Sequence, residues 1–137
     1  SNLKFMKIIL VTGAIIQNDN NFLIGRRGKD EKSAGMWEFP GGKLEEGESP
    51  KECIKRELKE ELNIDAEIGE LFSSYTYNYP HVSYELFFFK VNSFFGEPVK
   101  SVHDKLKWEK LKNFYKYDFL PGDGPLIDKL ISENNKR

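Results

Sequence analysis

The chain has 137 residues, of which 39% are hydrophobic and 31% are charged, and its net charge is −1. This length suits one domain with a sizeable core, and the near-zero charge argues against binding of a nucleic acid polymer, which needs a basic surface. No apolar run approaches the roughly 20 residues that a membrane helix requires. Cys53 is the one cysteine, so an internal disulfide is excluded and we expect a cytoplasmic protein. We expect Cys53 to be a small packed residue rather than a nucleophile.

The N-terminal part of the chain predicts a β-hairpin. Residues 6–17 are rich in Ile and Val and predict a buried strand, which Gly13 interrupts where backbone or ligand approaches closely. The polar cluster at residues 18–21 predicts a turn, so residues 22–25 should return as the second strand.

A polar loop, residues 28–35, follows two arginines, Arg26 and Arg27. Arginines at a strand end are usually exposed to solvent, but a guanidinium also matches the geometry of phosphate oxygens. The next run, WEFPGG, predicts a sharp turn with bare backbone. Trp37 and Phe39 alternate with Glu38, so at least one of the two rings should be buried.

Residues 50–62 predict a helix with clear ends. Ser49 is a favourable N-cap, Pro50 suits the first helical position, and Glu52 completes a capping box with Ser49. Asn63 can adopt the left-handed conformation that often ends a helix. The core-facing stripe recurs every four residues and consists of Ile54, Leu58 and Leu62.

The same helix carries Glu57, Glu60 and Glu61 at positions i, i+3 and i+4, which places them on one face. Crowded carboxylates repel each other, and hard cations such as Mg²⁺ take oxygen ligands in such an array. The alternative is a solvated acidic face with salt bridges such as Glu52 to Arg56.

The segment around this helix resembles the Nudix hydrolase signature, in which a glycine, a glutamate and the run Arg-Glu-apolar-x-Glu-Glu-x-Gly-apolar have fixed spacing. The matching residues are Gly42, Glu48, Arg56, Glu57, Leu58, Glu60, Glu61 and Ile64. Asn63 stands where the family has Gly, and we expect little disturbance because Asn tolerates the left-handed conformation. The resemblance implies the Nudix α/β/α sandwich, with a mixed, mostly antiparallel sheet, as a single domain over residues 3–133.

The resemblance also implies hydrolysis of a nucleoside triphosphate to the monophosphate and pyrophosphate, as in MutT-like members. The implied cofactor is Mg²⁺, with Mn²⁺ as an alternative, held by the Gly41 carbonyl and by the carboxylates of Glu57, Glu60 and Glu61. Arg56 would orient the carboxylates by pairing with one of them, and Glu48 is the candidate partner. Glu57 and Glu60 are the candidates for the general base.

Four residues match substrate-binding positions of MutT-like enzymes. Arg27 would meet phosphate, Phe39 would line the site, and Tyr79 would either stack on the base or pack on the surface. Asp123 would read the base, although Asp before Pro and a helix is commonly an N-cap. We expect its carboxylate to be ionised near pH 7, so that it only accepts hydrogen bonds and favours a base that offers an amino group. CTP and dCTP do so, and so does 8-oxo-dGTP if its base is turned to offer the ring N–H and the amino group.

The second half of the chain predicts further strands and one helix. Residues 66–79 and 81–92 are rich in aromatic side chains and predict a long hairpin, residues 96–98 break it, and residues 105–108 predict a short strand. Residues 126–131 predict an amphipathic helix, with a core face formed by Leu126, Ile127, Leu130 and Ile131.

A loop before the short strand carries another metal-binding glutamate in many Nudix proteins, and Val102 falls at that position here. His103 and Asp104 are neighbours that could replace it, directly or through water. A lone loop histidine is more often a surface residue, so we expect His103 outside the ligand set.

Two other functions are compatible with the sequence. The substrate could be a dinucleoside polyphosphate or a nucleotide sugar, although the short chain and the match at Tyr79 and Asp123 favour a mononucleotide. A non-catalytic nucleotide sensor would not require the glutamates, all of which this chain keeps. We expect a small-molecule nucleotide as the partner, no nucleic acid polymer and no membrane, and either a monomer or a homodimer.

Overall fold

The computed structural model describes residues 7–136. Its strands are β1 (Lys7–Ile15), β2 (Gln17–Asn18), β3 (Asn21–Arg27), β4 (Trp37–Glu38), β5 (Gly41–Lys43), β6 (Asp65–Asn78), β7 (Val82–Phe95) and β8 (His103–Lys110). Its α-helices are α1 (Pro50–Leu62) and α2 (Gly124–Asn135), and two 3₁₀ helices span Leu111–Lys116 and Pro121–Asp123. The predicted strand start at Met6 and domain start at residue 3 lie outside the described residues.

The strands form two four-stranded sheets. The first sheet has the order β5-β1-β7-β6, in which β1 is parallel to β7 and the other pairs are antiparallel. In the second sheet β2, β3 and β4 follow one another and β8 pairs with β3, all antiparallel. The predicted α/β architecture with mostly antiparallel pairing is therefore confirmed, with the strands divided between two sheets. None of the helices within residues 7–136 is long and apolar enough to cross a membrane.

The predicted N-terminal hairpin is wrong for most of its length. Of the strands that precede the turn, only the short β2 pairs with β3. Strand β1 lies between β5 and β7 in the other sheet. Gly13 permits this placement, because a Cβ there would lie 2.5 Å from the ring of Phe88 on β7. The close approach predicted at Gly13 is thus made by a core aromatic ring.

Helix α1 has the predicted bounds and both predicted caps. Ser49 and Glu52 form the capping box, and Asn63 ends the helix in the left-handed conformation with φ of 56°. The stripe of Ile54, Leu58 and Leu62 is fully buried between the two sheets' side chains. Capping and burial together fix the helix, and hence the direction in which its glutamates point.

Cys53 is also buried on α1, as predicted, with its Sγ 3.3 Å from Thr12 Oγ1. Burial raises the pKa of the Cys53 thiol to about 11. Because the thiolate is the reactive form, this side chain packs behind the site and is no nucleophile.

A second core lies under α2. Phe39 lies at the centre of this core, is 4% exposed, and contacts the rings of Phe88, Phe114 and Phe119. Leu126 and Leu130 of α2 are buried against this cluster. Ile131, predicted to face the core, is 39% exposed, because one further residue turns it about 100° away from Leu130.

Strands β7 and β8 are longer than predicted. The hairpin of β6 and β7 was predicted correctly, and each of its strands has 14 residues. Strand β8 starts at His103 rather than at residue 105, because the backbone of His103 continues the pairing with β3 opposite Arg27. This extension moves His103 from a predicted loop into a sheet.

Candidate active site

The Gly41–Gly42 turn lies directly on the acidic face of α1. The backbone N–H of Gly41 donates to Glu61 Oε1 at 3.3 Å. A Cβ at Gly42 would lie 2.4 Å from the carboxyl carbon of Glu57, and one at Gly41 would lie 2.0 Å from the Thr12 carbonyl oxygen. Glycine is therefore required at 42 for the close approach to Glu57, and at 41 for the close approach to the backbone of β1.

Arg56 holds the carboxylates that precede and line this face. Its Nε and Nη2 donate to Glu48 at 2.6 and 2.9 Å, so the predicted Arg56–Glu48 pair is present in bidentate form. Its Nη1 donates to Glu57 at 2.9 Å and to Glu60 at 3.0 Å. The salt bridge suggested between Glu52 and Arg56 does not occur, because Glu52 accepts from the Ser49 N–H instead.

The ionisation of these carboxyls differs with their surroundings. The hydrogen bonds from Arg56 lower the pKa of Glu48 to about 2. Burial raises the pKa of Glu57, and it raises the pKa of Glu61 to about 9, with the charges of Glu38 and Glu57 adding to the shift at Glu61. Burial therefore disfavours the ionised form of Glu61 the most among these carboxyls, and a nearby cation would favour that form.

The three predicted metal-binding glutamates share one face but do not converge. Glu57 and Glu60 turn to Arg56, whereas Glu61 turns to the Gly41 N–H. Within residues 7–136, no three His, Cys, Asp or Glu side chains form a cluster that could hold an ion. The donor set itself consists of carboxylate oxygens beside a bare glycine turn, which fits a hard divalent cation chemically.

Arg27 lies across from this face and is 23% exposed. Its Nη1 donates to Glu38 Oε1 at 2.9 Å, and its Nε donates to the Lys32 carbonyl. The neighbouring Arg26 binds Asp104 at 2.7 Å instead. The structure therefore separates the two arginines, and Arg27 is the one that faces the acidic side chains.

Glu38 is a member of this group that the sequence did not identify, and His103 is a member that we expected to lie on the surface. His103 is buried, which corrects the expectation of a surface histidine, and its Nε2 lies 2.8 Å from Glu38 Oε2. Val102 and Asp104 are exposed, and Asp104 is engaged by Arg26. The alternation of Glu38 with the rings of Trp37 and Phe39 was the available signal that its side chain points the other way.

A small cavity of about 60 Å³ joins the two sides of the site. Its lining consists of Arg27, Glu31, Glu38, Glu61, Val102 and His103. The cavity thus brings the candidate phosphate-binding guanidinium next to the most deeply buried of the candidate metal ligands.

Asp123 lies at the start of α2 but does not cap it. Its side chain makes no hydrogen bond to the helix, and its Oδ2 accepts from the Phe39 N–H at 3.1 Å. Burial raises the pKa of Asp123 to about 8. The N-cap alternative is therefore wrong, and so is the expectation that the free protein carries this carboxyl ionised at pH 7.

Tyr79 borders this end of the site. Its ring packs at 5.0 Å from Tyr77 and edge-on at 5.6 Å from Tyr84. Tyr75 donates to the Gly122 carbonyl at 2.6 Å, which ties β6 to the segment that carries Asp123. Phe39 contributes its backbone N–H here, since its ring belongs to the core.

The NUDIX domain profile matches residues 7–130 of the chain. The chain belongs to the Nudix family. This Nudix protein is 35% identical over 127 residues to the CTP pyrophosphohydrolase of Escherichia coli (strain K12), covering 93% of the chain and 94% of the relative. It is 37% identical over 126 residues to the 8-oxo-dGTP diphosphatase of the same strain, covering 91% and 98%.

Solved structures agree with this assignment. The solution structure of the E. coli ORF135 protein superposes with a TM-score of 0.85 at 34% identity, covering 96% of this Nudix protein and 94% of that chain. The crystal structure of the MutT protein from Methanosarcina mazei Go1 gives a TM-score of 0.83 at 25% identity, covering 96% and 98%. The protein is a MutT-like Nudix hydrolase, an enzyme that acts on phosphoric anhydride bonds, and such hydrolases need a divalent metal ion.

Proposed function

We propose that this Nudix hydrolase converts a nucleoside triphosphate to the monophosphate and pyrophosphate with the help of Mg²⁺. The observation that carries the proposal is the small cavity shared by Arg27 and Glu61. It places a guanidinium suited to phosphate oxygens beside the acidic face of α1. An enzyme for phosphoric anhydrides requires both, since the phosphate charge must be neutralised before a nucleophile can approach.

The proposed ligands of Mg²⁺ are the Gly41 carbonyl and the carboxylates of Glu57, Glu60 and Glu61. When bound there, a divalent ion would supply positive charge for the phosphate oxygens and would lower the pKa of water. Arg56 keeps Glu57 and Glu60 in place through its two hydrogen bonds from Nη1. Glu57 and Glu60 are the proposed proton acceptors, and Arg27 would hold the phosphates that leave.

Asp123 and Tyr79 are proposed to bind the base. Asp123 in its neutral form offers both a hydrogen-bond donor and an acceptor, and in its ionised form it only accepts. The relatives named CTP pyrophosphohydrolase and 8-oxo-dGTP diphosphatase support cytosine nucleotides or 8-oxo-dGTP as substrates. Tyr79 supplies the aromatic face on which such a base would stack.

A nucleotide panel tests the proposal. The purified protein with Mg²⁺ is assayed for monophosphate and pyrophosphate release from CTP, dCTP, dGTP, 8-oxo-dGTP and UTP, with a dinucleoside polyphosphate and a nucleotide sugar as comparison substrates. We expect turnover of a triphosphate that chelation of the metal abolishes. Absence of turnover together with tight nucleotide binding would instead identify a sensor.

A further inference from the structure

We propose that His103 is a positioning residue, which acts through Glu38 to hold the Arg27 guanidinium toward the acidic face of α1. The inference rests on the proposed function, because Arg27 is there assigned to phosphate. It adds a residue that takes no part in metal or base binding.

The three side chains form one continuous relay of hydrogen bonds. His103 Nε2 lies 2.8 Å from Glu38 Oε2, and Arg27 Nη1 donates to Glu38 Oε1 at 2.9 Å. A carboxylate only accepts, so the imidazole Nε2 carries the hydrogen of the first bond. Each oxygen of Glu38 therefore has its own donor, and the carboxylate plane is fixed from both ends.

Burial decreases along the three side chains from His103 to Arg27. The exposed fraction of the side chain is 0% for His103, 12% for Glu38 and 23% for Arg27. The histidine is thus the rigid end and the arginine is the end that a substrate can reach. Arg27 also contacts Glu31 and the Lys32 carbonyl, but those residues lie outside any strand, whereas Glu38 belongs to β4.

Glu38 needs such support because its carboxylate is mostly buried, with an exposed side-chain fraction of 12%. Its charge is felt at both Glu61 and Asp123. A carboxylate that is mostly withdrawn from water is unfavourable unless hydrogen-bond donors replace the water. His103 and Arg27 are the donors that the structure provides within residues 7–136.

The packing environment of His103 is shaped to its imidazole ring. A Cβ at Gly25 would lie 2.6 Å from the imidazole, so the ring packs on bare backbone of β3. Its Nδ1 is buried and has no hydrogen-bond partner within residues 7–136. A side chain kept only for packing would gain by being apolar, since an unpaired buried nitrogen is unfavourable. The bond to Glu38 is what the histidine contributes.

The test is a double-mutant cycle on the full chain with Mg²⁺ and the best triphosphate substrate. His103→Leu removes the donor at similar volume, and we expect KM to rise about tenfold, with kcat changed by less than about threefold. In an Arg27→Ala background the same change should shift KM by less than about twofold, because Glu38 then has no guanidinium to position. Equal shifts of KM in both backgrounds would overturn the proposal and show a purely structural role.

Two companion variants sharpen this cycle. His103→Gln can still donate to Glu38, so it should recover most of the affinity lost in His103→Leu. The matched control is Asp104→Asn, which alters the adjacent residue and its ion pair with the neighbouring Arg26 and should leave KM unchanged. A rise in KM for Asp104→Asn as large as that for His103→Leu would contradict the assignment.

If His103→Leu does not fold, Gly25→Ala takes its place, because the added methyl displaces the ring and removes no polar group. It should raise KM with Arg27 present and not with Arg27→Ala. Failure of the proposed function looks different, since the wild-type protein would then show no triphosphate turnover at all. If the wild-type protein turns over a triphosphate but the effects of the His103 and Arg27 substitutions on KM are independent, the inference about His103 is wrong and the proposed function stands.

Discussion

The backbone N–H of Phe39 donates a hydrogen bond to Oδ2 of Asp123, with an N···O distance of 3.1 Å across 84 residues of sequence. This bond joins the segment that leads into the glycine turn to the start of α2. Burial raises the pKa of the same carboxyl to about 8. The candidate base-reading group therefore changes its charge within the pH range in which activity is measured.

The base preference should depend on pH in a way that Asp123→Asn removes. As pH rises from 6.5 to 8.5 the carboxyl loses its donor, which disfavours the carbonyl edge of uracil and retains the amino edge of cytosine. We expect the ratio of kcat/KM for CTP to that for UTP to rise about fivefold, the effect of one hydrogen bond of about 1 kcal/mol. The ratio should stay flat in Asp123→Asn. A flat ratio in the wild-type protein would show that the base is read elsewhere.

Stability should carry the signature of the same group. The pKa of Asp123 is about 8 in the folded protein against the ordinary value of 3.8, so the folded state binds the proton more tightly. Its stabilising contribution is complete below about pH 4 and is lost as pH rises through about 8. Relative to Asp123→Asn, the free energy of unfolding should fall by up to about 1.4 kcal/mol per pH unit in this window. Urea denaturation at pH 5, 6 and 7 measures it, and a constant difference would contradict the shift.

Glu61→Gln should separate catalysis from folding. The amide oxygen can still accept from the Gly41 N–H, so the fold and its Tm should be preserved. Loss of one ligand charge should lower kcat by at least about 100-fold at saturating Mg²⁺. Glu70→Gln on β6, whose side chain is exposed and pairs with Lys90, is the control and should keep full activity. Near-normal kcat in a folded Glu61→Gln protein would remove Glu61 from the metal site.

Arg56→Lys should reduce activity although it keeps the positive charge. A lysine ammonium cannot reproduce the bidentate bond to Glu48 while also donating to Glu57 and Glu60. We expect kcat/KM to fall about 10- to 100-fold, as for other residues that orient ligands. Arg26→Lys is the matched control, because Arg26 makes a similar two-point pair with the exposed Asp104. Equal losses in the two variants would contradict a specific role for the Arg56 guanidinium.

The position of attack is the last prediction. By its similarity to MutT-like enzymes, the protein should direct water to the phosphorus nearer the nucleoside, so that pyrophosphate leaves in one step. Hydrolysis in ¹⁸O-labelled water should place the label in the nucleoside monophosphate. Early orthophosphate with accumulating nucleoside diphosphate would instead mean attack at the terminal phosphorus.

The sequence alone determined the features that depend on near neighbours. The bounds and caps of α1 follow from Ser49, Glu52 and Asn63, because capping is a contact between residues three or four apart. The spacing of Glu57, Glu60 and Glu61 likewise fixes a common helix face. The signature that carries these residues was sufficient to predict the family.

Only the tertiary structure decided the contacts between distant strands. It placed β1 and β3 in different sheets. Strand β1 pairs with β7, where the Phe88 ring packs on Gly13, and the turn between β1 and β3 does not encode this contact. It brought Glu38 to His103, which is 65 residues away. It also buried Asp123 and so raised its pKa, because desolvation is a property of the whole surrounding core and no local pattern encodes it.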